Sequence, residues 1–165
     1  MNSHNLVVGA LVALGILFSA AFAADDDTLT RVALCRDSWA EWQKSDPAKL
    51  KAFGDSFHAR FSPHGNDPYF LPKAKVSVMG MNVSQAFPGS VGMGVGFSLT
   101  LDATFDDARK AAEKALGKAL QKCESGEGMR NCELEIAPQR TVMLMAEDKP
   151  GAQRTLIGCY YFYEK

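Results

Sequence analysis

The sequence predicts an α+β fold: an antiparallel sheet of four or five strands packed with three helices, in the order α-α-β-β-α-β-β, and held by two disulfides. Three observations carry this. Apolar residues recur at helical spacing early in the chain and again near its middle, the period changes to two from Lys75 onward, and four cysteines follow an N-terminal apolar run.

The N-terminal run sets the compartment. Leu6 to Phe18 is almost unbroken in its apolarity, and Ala21-Phe22-Ala23 forms an A-x-A site that predicts cleavage before Ala24. Residues 1–23 are thus read as a signal peptide, and 24–165 as a single α+β domain. The n-region lacks Lys and Arg, and the uncharged stretch approaches the ~20 residues of a membrane helix, so an uncleaved anchor is the rival reading. Gly9, Gly15 and the charge cluster Asp25-Asp26-Asp27 favour removal. Membrane association is expected only if the segment stays. No Cys follows the small residues, which argues against a lipid anchor. The expected location is periplasmic or secreted.

In an oxidising compartment the four cysteines read as two disulfides. Three connectivities are possible. Cys123 and Cys132 flank a polar, glycine-bearing turn that favours a local bridge, which leaves Cys35 to pair with Cys159 and tie the first helix to the last strand. Metal is the alternative, but no C-x2-C pair of the kind that holds zinc is present, nor a redox C-x-x-C.

Leu29, Val32, Cys35, Trp39 and Trp42 give the first helix its buried stripe. Asp46 and Pro47 suit the cap and first position of a second, with Leu50, Phe53, Phe57 and Phe61 along its apolar face. Ser62 to Pro72 reads as a loop. Lys75 to Val78 opens a strand, Pro88-Gly89-Ser90 a turn, and Val91 to Leu101 a second strand of clean alternation. Val91, Met93, Val95, Phe97, Leu99 and Leu101 make its core face; Gly92, Gly94, Gly96, Ser98 and Thr100 leave a bare backbone opposite. Thr104 caps the third helix, with Phe105, Ala108, Ala112, Leu116 and Leu120 as its stripe. Strands at Arg140 to Ala146 and Arg154 to Tyr163 follow, joined by a hairpin at Asp148 to Gly151, with a short extra strand at Glu133 to Ile136. Both late strands are apolar on both faces. If Cys159 lies under the first helix, the face of Tyr160 and Phe162 needs another cover: the remaining helices, a partner protein, or a second copy.

A net charge of −1 without a basic stripe excludes a phosphate-backbone reader, so no nucleic acid partner is expected. The alternating glycines lack the G-x-G-x-x-G spacing of a dinucleotide loop. His64, in a loop with Asp67 and Tyr69, is the one residue around which a small hydrolase is conceivable. That reading needs a carboxylate on one ring nitrogen and a nucleophile on the other; without them, His64 is expected exposed and unpartnered. Met79 with Met81 and Met143 with Met145 form strand-spaced pairs suited to Cu(I), or to ordinary core filling.

The function expected from these absences is an exported, non-enzymatic binding protein that recognises another periplasmic protein or itself, in the manner of inhibitors and immunity factors of this size. No cofactor is expected. The candidate binding residues are His64, Asp67, Tyr69 and Phe70 on the loop, and Gly92, Gly94 and Gly96 on the glycine-faced strand. The hydrolase and the copper protein are the alternatives.

Overall fold

A computed structural model describes residues 27–91 and 94–162. The expected signal segment, Gly92, Met93 and Tyr163 lie outside the described residues. Four helices and nine strands are present among those described: α1 (Asp27–Ala33), α2 (Trp39–Ser45), α3 (Pro47–Arg60), β1 (Phe61–Pro63), β2 (Phe70–Pro72), β3 (Ser77–Val78), β4 (Met81–Val91), β5 (Gly94–Asp102), α4 (Phe105–Leu116), β6 (Gln121–Gly126), β7 (Met129–Ala137), β8 (Arg140–Glu147) and β9 (Arg154–Phe162). The sheet is antiparallel throughout, in the order β1-β2-β4-β5-β9-β8-β7-β6, with β3 paired to β4.

This corrects the expectation of three helices and four or five strands, and each difference has a local cause. The first helix is two, because Cys35 takes a left-handed conformation with φ 55°. Ser38 then caps α2 by accepting from the Glu41 N–H, and Asp46 caps α3 in the same way from the Lys49 N–H, with Pro47 in the first turn. The predicted Ser62–Pro72 loop is instead a hairpin whose arms pair Phe61 with Pro72 and Pro63 with Phe70. Met79 and Gly80 both have positive φ and turn β3 into β4.

The expected turn at Pro88-Gly89-Ser90 is strand. Pro88 opposes Phe97 and Gly89 opposes Gly96, so β4 runs on to Val91. Pro88 is tolerated because β2 pairs with β4 only at Ala86, which leaves Pro88 without a neighbour on that side. The polar stretch between Cys123 and Cys132 is a second unforeseen hairpin. Glu127 (φ 53°) and Gly128 (φ 78°) supply its turn, and β6 and β7 flank it. The short strand expected at Glu133 to Ile136 is part of β7. Helix α4 is as expected, capped by Thr104 and ended by Gly117 in the left-handed region; Leu120 is buried but lies beyond it.

Both expected disulfides are present. Cys35–Cys159 ties the end of α1 to β9 across 124 residues of chain, and Cys123–Cys132 links β6 to β7. The structure therefore carries an oxidised framework that belongs to a non-cytoplasmic environment. No described helix is long and apolar enough to cross a membrane.

The bridge seats α1 on the face of β9 that presents Ile157 and Cys159. Leu29, Val32, Leu34, Phe57, Ala108 and Ala112 from the helices join Val83, Ala86, Phe97, Leu99, Val142 and Leu144 from the strands in one buried cluster. An aromatic group centred on Phe57 links α3 to β1, β2 and β5, through Phe61, Phe70 and Phe97 at 4.8, 5.2 and 5.9 Å between ring centroids. Beyond α1, Arg31 holds Asp37 by two bonds of 2.9 Å, and that contact keeps the Asp37 carboxyl below its ordinary range.

The long bridge closes nearly the whole chain, so its loss frees far more unfolded-state entropy than loss of the short one. Replacing Cys35 and Cys159 together by Ala is expected to cost about 4–5 kcal/mol, against about 3 kcal/mol or less for Cys123 and Cys132. Urea unfolding of the two double variants checks the order.

Candidate functional site

The structure leaves one face of the sheet without a helix among the described residues. Because strand side chains alternate, the register assigns that face residue by residue. Opposite the helical layer lie Gln85, Phe87 and Gly89 of β4, Gly96, Ser98 and Thr100 of β5, Leu156, Gly158 and Tyr160 of β9, and Thr141, Met143 and Met145 of β8. The expectation that further helices might cover Tyr160 and Phe162 is therefore not met. All four helices pack on the side of Cys159.

The face partly covers itself. Tyr160 is only 1 % exposed although no helix lies over it. Its ring packs on its cross-strand partner Gly96, where an added Cβ would come within 2.7 Å of the ring and 2.3 Å of the Cys159 carbonyl oxygen. Phe87 folds over Gly89 in the same way. At Gly158 the crowding is from backbone and Ser98, with a Cβ 2.7 Å from the Phe97 carbonyl oxygen. Gly96 thus makes room for this chain's own Tyr160 ring, which corrects the reading of Gly96 as bare backbone. Gly94 opposes Phe162 in the ladder, and Gly92 lies outside the described residues. The Tyr160 hydroxyl is buried with no hydrogen bond of ordinary length; burial raises its pKa, and a long contact with the Ser98 side chain opposes the rise.

Towards the β8–β9 hairpin the cover thins. Met129 of β7, 43 % exposed, joins Thr100, Met145, Pro150 and Leu156 around a groove of about 450 Å³. Arg154 lies at the same end, donating to Gln85 Oε1 at 2.7 Å, and its charge reaches Tyr69 in the loop of the β1–β2 hairpin.

That hairpin carries the other predicted residues. The His64 Nδ1 lies 2.8 Å from Asp67 Oδ2, and the His64 ring stacks on Tyr69 at 5.2 Å. Hydrogen bonds from His64 first, and Tyr69 second, hold the Asp67 carboxyl below its ordinary range. The expectation of an unpartnered His64 is therefore corrected: it has its carboxylate. Among the described residues no hydroxyl or thiol completes a nucleophile–base pair with it, and all four cysteines are oxidised. Phe70 is not a free anchor, since its ring packs edge-on against Phe57. The structure brings His64, Asp67 and Tyr69 together in the loop of the β1–β2 hairpin.

The methionine pairs do not converge. Met79 and Met81 pack against the helical-side cluster, whereas Met143 and Met145 project from the opposite face of β8. Sequence reasoning missed Met129, Gln85 and Arg154. The signal for them was strand parity, legible only once β4 and β7 were recognised as long strands. No family model matches the sequence, and no curated protein or solved structure matches it.

Two substitutions separate packing from polarity at the glycine–aromatic pair. Tyr160→Phe removes a buried hydroxyl whose contact with Ser98 is long, and is expected to leave stability unchanged or raise it by about 1 kcal/mol. Gly96→Ala is expected to lower it by about 2–4 kcal/mol, since backbone as well as ring must move. Thermal unfolding of both variants checks the contrast.

Proposed function

We propose that this protein is an exported, non-enzymatic binding module that recognises another protein of the same oxidising compartment through the helix-free face of its sheet. The observation that supports this reading is the one-sided layering: a wide antiparallel sheet whose second face carries Phe87, Met143, Met145 and Leu156 and has no helix over it among the described residues. Sheets commonly leave one face in water, but such a face is then polar; a face rich in Met and aromatic side chains is the composition of protein interfaces. Methionines at the Met129 end suit an adaptable contact, and the nearby Arg154, Gln85 and Tyr69 supply a polar rim.

The hydrolase reading has a specific observation in its favour, the His64–Asp67 bond. It lacks the second half of the machinery, and both side chains are half exposed in a hairpin tip rather than set in a cleft. Export rests on the apolar N-terminal run and on the two disulfides together.

The double variant Met145→Lys, Leu156→Lys tests the face. The mature chain and this variant are each coupled to resin and exposed to periplasmic extract, and each is sized in solution by light scattering. A protein retained by the natural chain and lost by the equally stable variant, with both forms monomeric, is the expected result. A natural chain that dimerises through this face, or a partner retained equally by the variant, contradicts the proposal.

A further inference from the structure

The β6–β7 side of the helix-free face is acidic. Strand parity places Glu133 and Glu135 of β7 on that face, opposite Met143 and Thr141 of β8, and Glu124 of β6 beside Asn131. The Cys123–Cys132 bridge holds β6 against β7, so Glu124 stays diagonal to Glu133. Glu124 and Glu135 are exposed and Glu133 is half-buried. Between the start of β6 and the β7–β8 turn, Gln121, Glu133, Glu135 and Thr141 line a groove of about 430 Å³.

These carboxylates have no counter-charge. None of the three forms an ion pair among the described residues, and Lys122, which also borders the groove, pairs with neither Glu133 nor Glu135. Arg154 of the same face lies at the β8–β9 hairpin end and donates to Gln85. The helical side differs: there Arg31 meets Asp37, Arg109 meets Glu113, Arg130 meets Asp106 and Arg140 meets Glu41. Like charges side by side on paired strands destabilise a sheet, so the best neighbour for this row is a positive one. An apolar strip adjoins it. Met143 opposes Glu133 directly, and Met145 and Leu156, half-buried like Met143, continue toward Met129.

We infer, on the strength of the sheet-face reading, that the partner is a protein segment presenting arginine or lysine next to apolar side chains. Its cations lie against Glu124, Glu133 and Glu135, and its apolar groups against Met143, Met145 and Leu156. Arginine and lysine carry an aliphatic stem below the charge, so one side chain across this boundary meets both methionine and carboxylate. The same carboxylates repel nucleic acid and anionic membrane surfaces. Attraction between exposed charges is screened by salt, which makes the binding salt-sensitive.

The probe is the capped peptide Leu-Arg-Leu-Arg, followed through the backbone amide resonances of the mature chain. Shifts at β7 and β8 are expected, with a dissociation constant in about the millimolar range or tighter. Binding is expected to weaken roughly fivefold or more in about 0.5 M salt, with Leu-Gln-Leu-Gln as the peptide, and in the double variant Glu133→Gln, Glu135→Gln. That variant is expected to keep or raise the thermal midpoint, because it removes repulsion and no ion pair; a purely structural role would lower it. A Leu-Gln-Leu-Gln peptide that binds this face as tightly leaves the face reading standing and overturns the charge assignment. A Ser-Arg-Ser-Arg peptide that binds as tightly as Leu-Arg-Leu-Arg contradicts the face reading, and the assignment with it. Undiminished binding to the glutamine variant, shifts confined to the helices, and no shift at roughly millimolar peptide each overturn the assignment. So do dimerisation of the chain through this face and binding of phosphatidylglycerol vesicles.

Discussion

The Cys35–Cys159 bridge decides the sidedness of this molecule. A strand residue faces one side of a sheet or the other, and a covalent bond from α1 to Cys159 settles which side of β9 the helices take. The ladder carries that decision outward. Val142 and Phe97 oppose Cys159 on either side, and Leu144 and Leu99 oppose Ile157, so their whole parity class falls under the helices. A slip of one residue in any of these pairings would send a row of aliphatic side chains to the other face, so burial and bridge enforce the same register.

The consequence is a sheet with one dry side and one that must manage its own apolar residues. Tyr160 over Gly96 and Phe87 over Gly89 are the devices: a ring packs against a neighbour that has no side chain, and backbone that glycine leaves exposed is covered by the ring. The sealing is incomplete towards Met129 and Leu156. It also buries the Tyr160 hydroxyl with no hydrogen bond of ordinary length. A face of this kind retains apolar surface at its Met129 end, and the proposed partner would cover it.

How much of this was legible in the sequence depended on whether a signal was local. Thr104, Asp46 and Pro47 announce their helices because a cap acts on the next three residues. The disulfide pairing followed from a short loop and elimination. What escaped notice were turns made by residues that do not advertise positive φ: Cys35, Met79 and Glu127. Each hid an element boundary: Cys35 divides the first helix, Met79 turns β3 into β4, and Glu127 makes the Cys123–Cys132 stretch a hairpin. Pro88 misled in the opposite sense, since its tolerance in β4 depends on where β2 stops pairing, a fact of tertiary structure alone. Strand parity on β8 and β9 revealed two apolar faces, but the absence of a helix from one of them depends on where four helices dock. His64 and Asp67 were read as neighbours, and the hairpin makes them so.

The sidedness itself is the central claim, and two adjacent residues of β8 test it most directly. Leu144 is fully buried under the helices, whereas Met143 lies on the open face opposite Glu133 and Gly158. Chemical unfolding of Leu144→Lys and Met143→Lys is the measurement. The account predicts a loss of about 4 kcal/mol or more for Leu144→Lys, which buries an unpaired charge, and a change within about 1 kcal/mol for Met143→Lys, whose ammonium reaches Glu133 and solvent. Equal losses at both positions would mean that the second face is buried as well, and would contradict the account.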